Sequence, residues 1–147
     1  MSIKTRLKEE QKLAMRAKDK VRLGTIRSLL AAVKQIEIDD KVELDDTAVT
    51  AVVVKSVKQR KDSIAQFEKA DRSDLADIEK AELVILEEFL PQALTSEEVE
   101  AHIKQAIASV GAQGMQDMGK VMGLLQKDIQ GKADMAVVSG LVRANLQ

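Results

Sequence analysis

Gly114, Gly119 and Lys120 reproduce most of a phosphate-binding loop: a glycine, four residues, then Gly-Lys. In such a loop backbone N–H groups cradle phosphates, the lysine neutralises them, and a Ser or Thr hydroxyl holds magnesium. Val121 stands where that hydroxyl is needed, and residues 105–110 read as the end of a helix, not as the strand that leads into such a loop. The pattern is therefore a glycine-bearing helix and not a nucleotide site. His102 is the only histidine; with Glu100, Ala101 and Lys104 around it on the expected exposed side of a helix, it has no second ligand or triad partner. Glu79, Glu82, Glu87 and Glu88 offer carboxylates. Without the histidines of a di-iron bundle they read as a solvated face or as partners for Arg60 and Lys61. Cysteine is absent, which removes disulfides, thiolate zinc sites and a thiol nucleophile. No catalytic residue, metal ligand or cofactor is assigned, and an activity of the chain's own is not expected.

Charge and backbone access remain. Gly119 and Gly123 lie one turn apart inside GMQDMGKVMGLLQKDIQGKAD, Gly114 to Asp134. There Met118, Val121, Met122, Leu125 and Ile129 recur at the three- and four-residue steps of a helix with one buried face. Each internal glycine costs up to roughly 1 kcal/mol against alanine. The return expected is a groove that another helix packs closely, or that a nucleic-acid backbone enters. Lys120, Lys127 and Lys132 stand beside it. A second basic group, Arg16, Lys20, Arg22 and Arg27, crowds the junction of the first two helices. The candidate nucleic-acid-binding set is thus Arg16, Lys20, Arg22, Arg27, Gly119, Lys120, Gly123, Lys127 and Lys132.

The net charge of −1 conceals segregation. Residues 1–34 carry ten bases against three acids, and residues 73–100 carry nine acids against Lys80 alone. Such blocks let one face be basic in a near-neutral molecule. Aliphatic residues with abundant Lys, Glu and Gln, two Phe, no Trp, no Tyr and one Pro indicate an all-α protein. No apolar run of about eighteen residues occurs and the N-terminus lacks a secretory apolar core, so a soluble, cytoplasmic protein without a membrane partner is expected.

Helices are expected over about residues 2–18, from a cap at Asp19, and from a cap at Asp45 or Asp46 to about Ala70. Arg60 interrupts the Val57–Ile64 apolar stripe, where it either snorkels or pairs with a carboxylate of the next helix. That fourth helix opens at Ser73 or Asp74, turns Ile78, Ala81, Ile85, Leu86 and Phe89 inward, and ends before Pro91. Thr95 and Glu98 form a capping box for a fifth. The glycine-bearing helix follows, and Asp134 caps a last one. The expected architecture is two helical subdomains: a four-helix part over 1–93 and a small three-helix bundle over 94–147.

Three stretches together resemble the GatB/YqeY family: AMRAKDKVRLGTIR (Ala14 to Arg27), KQRKDSIAQFEKADRSDLA (Lys58 to Ala76) running on to FLPQALTSEEVE, and MGKVMGLLQKDIQGKAD (Met118 to Asp134). Met135 follows the last motif where the family often has glycine. The resemblance implies two all-helical subdomains and a relation to the tail of the B subunit of tRNA-dependent amidotransferase. That enzyme amidates glutamate or aspartate on mischarged tRNA with glutamine as nitrogen donor, and its tail is associated with holding tRNA. The implied partners are tRNA and the amidotransferase or aminoacyl-tRNA machinery. Three functions follow: a non-catalytic tRNA-binding accessory protein of translation, a helical protein-interaction module, or a component of a glutamine-dependent carbon–nitrogen ligase. The near absence of aromatics suits recognition of RNA by shape and phosphate instead of base stacking.

Overall fold

The computed structural model describes residues 2–147. Among them are seven α-helices and no strand, the only β-type pairing being an isolated bridge between Gln130 and Ala133. The chain divides into two compact units, the first ending at Leu90 and the second running from Pro91 to Gln147.

The first unit holds α1 (Ile3–Arg16), α2 (Lys20–Asp40), α3 (Asp46–Lys69) and α4 (Ser73–Glu87). Ser2, Asp19 and Asp45 each accept a backbone N–H from the first turn of the helix they precede, which satisfies donors that a helix start otherwise leaves orphaned. Leu7, Ile26, Leu29, Val33, Val49, Val53, Leu86 and Phe89 form the centre of its core. The β-branched run Val52–Val54 is helical, because its burial follows the 3.6-residue period through Val49, Val53 and Val57. The turns use no glycine: Lys18, Lys41 and Asp71 take the left-handed conformation at φ 57°, 54° and 57°.

The inward face of α4 differs from the expected one. Ile78 is 56% exposed and Ala81 is also exposed. Ala76 is buried instead, with Glu79 and Glu82 half-buried on the same side, while Leu86 and Phe89 are buried as expected and Ile85 is half-buried. The cause lies across the interface: Arg60 of α3 puts its Nε 2.9 Å from Glu82 Oε2 and 3.2 Å from Glu79 Oε2. Turning Ile78 inward would rotate both carboxylates away from that guanidinium. Arg60 therefore pairs with α4 and does not snorkel.

The second unit holds α5 (Ser96–Val110), a 3-10 turn (Met115–Asp117), α6 (Met118–Ile129) and α7 (Met135–Leu146). The Thr95–Glu98 capping box opens α5, and Gly111 closes it at φ 63°, where a residue without a Cβ is favoured. All three helices touch one another around Val99, Ile103, Val121, Leu125, Ile129, Val138 and Val142. Asp134 caps α7 by accepting from Ala136 N at 2.9 Å, and Leu94 N donates to Lys132 O at 2.8 Å, tying the two loops of the unit together.

Candidate nucleic-acid interface

The geometry of α6 divides its residues cleanly. Val121, Leu125 and Ile129 are fully buried; Gly119, Lys120, Gly123 and Lys127 are exposed. A Cβ added at Gly119 or Gly123 would meet nothing within 4 Å. The expectation that another helix of this chain packs on these glycines is therefore corrected: the face is open. Lys120, Gly123 and Lys127 are spaced three and four residues apart, which aligns them along one side of the helix. Neither lysine has a carboxylate within 4.0 Å among the described residues (no such pair occurs among the ion pairs of the fold). Lys132 lies in the following loop, half-buried and likewise unpaired, its backbone carbonyl engaged by Leu94.

The N-terminal basic group is divided by the structure. Arg22 is an internal strut: its Nη1 donates to Glu88 Oε2 at 2.6 Å and its Nη2 to Glu10 Oε2 at 2.9 Å. These hydrogen bonds, to Glu88 first and Glu10 second, hold its pKa above the ordinary arginine value. Arg6 completes the same corner, donating to Glu88 O at 2.9 Å with its guanidinium 4.7 Å from the centre of the Phe89 ring. Arg16, Lys20 and Arg27 are exposed and free of such partners among the described residues.

The sequence reading missed Gly24. It is exposed inside α2, and a Cβ there would meet nothing within 4 Å. Lys20 and Arg27 flank it one turn away on either side. The arrangement Lys20–Gly24–Arg27 repeats in kind the arrangement Lys120–Gly123–Lys127: an open glycine between two unpaired cations along one side of a helix. The signal was present as a glycine between cations seven residues apart within a helical pattern. Lys20 and Lys120 also stand in the first turns of their helices, where the macrodipole disfavours a cation by about 0.3–1 kcal/mol. His102 is half-buried on α5 rather than exposed, and no group of three or more His, Cys, Asp or Glu among the described residues is arranged to hold a metal ion.

Fold and surface together define an all-helical protein of two compact units whose chemistry-bearing groups are exposed cations beside bare helix backbone. The chain belongs to the YqeY-like family, whose model matches residues 4–146. Among its relatives is the "Altered inheritance of mitochondria protein 41, mitochondrial" of Kluyveromyces lactis, 38% identical over 144 residues, covering 95% of this chain and 73% of the relative. The protein of the same name in Lachancea thermotolerans is 42% identical over 99 residues, 67% of this chain and 53% of the relative. That of Pyrenophora tritici-repentis is 32% identical over 130 residues, 87% of this chain and 71% of the relative. The chain thus spans between about half and three quarters of the length of these relatives.

The expectation of a cytoplasmic protein is overturned by the same comparison, since these relatives are mitochondrial by name. The physical reason for the error is plain. Lack of a secretory apolar core and of cysteine fits any reducing aqueous compartment and does not single out the cytoplasm. No helix of the described residues is long and apolar enough to cross a membrane.

Proposed function

We propose that this chain is a non-catalytic accessory protein that binds tRNA through phosphate contacts, in the manner of the amidotransferase tail that its motifs resemble. One observation carries the reading: on α2 and again on α6, an open glycine lies between two cations with no internal partner. Two exposed glycines inside α6 forfeit up to roughly 1 kcal/mol each and return no packing to the fold. A phosphate backbone approaching the bare helix, met by lysines on either side, accounts for both the glycines and the unpaired cations. With two Phe and no Trp or Tyr, contacts of this kind read backbone shape and not base identity.

The test is fluorescence anisotropy with several tRNAs across a salt series, on the parent and on the charge reversals Lys120→Glu/Lys127→Glu and Lys20→Glu/Arg27→Glu. Binding should weaken for all tRNAs alike, with the log–log salt slope falling by about 0.7–0.9 for each phosphate contact removed. Absence of binding at low salt, or reversals that leave affinity and slope unchanged, overturns the reading. A helical protein-interaction module then takes its place. One observation favours that alternative: Ile78 and Val84 of α4 are 56% and 66% exposed, and lie with Ala81 at three-residue steps along one side of the helix.

A further inference from the structure

The first unit carries a second cationic feature, whose lining shares no residue with either glycine face. Between α1 and α2 runs a groove of about 440 Å³, within the range of roughly 300–1,000 Å³ typical of small-molecule sites. Lys8 and Lys12 line it from α1 and Lys34 from α2, over a floor of Leu30 and Val33. All three lysines are exposed, and none has a carboxylate within 4.0 Å among the described residues.

One end of the groove is occupied by an internal pair. Lys4 Nζ lies 2.7 Å from Glu37 Oε2, and Glu37 also accepts from Leu44 N at 2.8 Å. Lys4 is thereby neutralised, while Lys8, Lys12 and Lys34 make no ion pair within 4.0 Å among the described residues, Lys34 feeling Glu37 only at longer range. Lys8 and Lys12 are four residues apart, roughly 6 Å between their Cβ atoms, so their amines reach neighbouring oxyanions from one side while Lys34 reaches from the other. Ammonium groups on flexible stems suit this task as mobile point charges with three donors each. The ligand that matches is compact and multiply charged. A continuous RNA strand would have to pass the Glu37 carboxylate, whereas a short anion seats at the three-lysine end.

We propose that this groove binds a small polyphosphate, two or more adjacent phosphates, either free or carried by a nucleotide. The full-length chain is titrated calorimetrically at low ionic strength with inorganic tripolyphosphate, with ATP and with orthophosphate. One saturable site per chain is expected, with tripolyphosphate at least about tenfold tighter than orthophosphate. ATP tighter than tripolyphosphate assigns the Leu30–Val33 floor to the nucleoside; equal affinities assign the site to the phosphates alone.

The variant is Lys8→Glu/Lys34→Glu, both exposed positions whose substitution leaves the core untouched. Its control is Lys120→Glu/Lys127→Glu, which changes net charge by the same amount on the other unit. The first should lose at least about tenfold in affinity and the second less than about twofold. Absence of saturable binding overturns the proposal, as does equal weakening by both variants, which would mark diffuse attraction to total charge. It also fails if Lys8→Glu/Lys34→Glu impairs only the binding of a single-stranded RNA oligonucleotide, which would make the groove a strand track. Because the control variant removes the α6 cations, failure here and failure of the tRNA reading are read separately.

Discussion

Replacing Gly123 by alanine should stabilise the second unit, and replacing it by leucine should do so almost as well. Gly123 is inside α6, exposed, and its added Cβ would meet nothing within 4 Å. The added Cβ therefore carries no steric cost, and alanine gains the helix propensity difference, about 0.8–1 kcal/mol. Leucine lies only slightly below alanine on that scale. In a helical unit of this size 1 kcal/mol moves a melting midpoint by roughly 4–8 °C. Gly119, second residue of α6, lies closer to the frayed end and should return less. A packed glycine face predicts the opposite sign for leucine, a loss of about 1–3 kcal/mol from overfilling. Urea unfolding followed by circular dichroism measures the change, and hydrogen exchange of the Val121, Leu125 and Ile129 amides assigns it to the second unit. Under the proposed tRNA contact, the same substitutions should weaken that contact while strengthening the fold. A Gly123→Leu variant destabilised by more than about 1 kcal/mol would refute the open-face reasoning.

Arg60→Met should destabilise the first unit by about 1–2 kcal/mol, less than the 3–5 of a fully buried broken pair because these side chains are partly exposed; adding Glu79→Gln and Glu82→Gln should recover most of the loss in urea unfolding. Glu37 has its pKa held below the ordinary 4.5, chiefly by the hydrogen bond from Lys4 and then by that from Leu44. Its contribution is present above the unfolded value and lost as pH falls through the lower folded value, so Glu37→Gln should flatten the fall in urea midpoint on acidification below about pH 4.5. The purified chain should release no glutamate from glutamine; release that a point substitution in this chain abolishes would contradict the non-catalytic reading.

Helix starts were legible because capping is local. Asp19, Asp45, Thr95 with Glu98, and Asp134 each bond a backbone N–H two or three residues on, a geometry that sequence spacing encodes directly. The stripe of α6 was legible for the same reason, since Val121, Leu125 and Ile129 fix its buried side. The orientation of α4 was not. Ile78 and Glu79 differ by one residue, about 100° around the helix, and the choice between them is made by Arg60 on another helix. Arg22 was misjudged on similar grounds, because Glu88 lies 66 residues away and only the fold brings it to 2.6 Å. The α1–α2 lysine groove depends on which lysines of a crowded basic block face one another, which is again a tertiary fact.

The helices of this chain are not equally self-sufficient, and α6, which carries one of the two glycine faces, is among the least so. Four helices have a side-chain cap from Ser2, Asp19, Asp45 or Asp134, and α5 has a full capping box. Arg72 before α4 makes no side-chain cap bond, and helix α6 has none either: the carboxylate of Asp117 at its start instead accepts from Gln113 N at 3.0 Å. It also holds two open glycines and a cation in its first turn, each unfavourable by several tenths to about 1 kcal/mol. Its helicity therefore rests on Val121, Leu125 and Ile129 packing between α5 and α7, not on local preference. A helix held from one side in this way gains most from a ligand on the other. The 3-10 turn leading into it already takes up the Met118 N–H through Met115 O, whereas contact along Gly119 and Gly123 would shield backbone otherwise open to water. A ligand that engages this face should slow hydrogen exchange in α6 before it affects the helices that cap themselves.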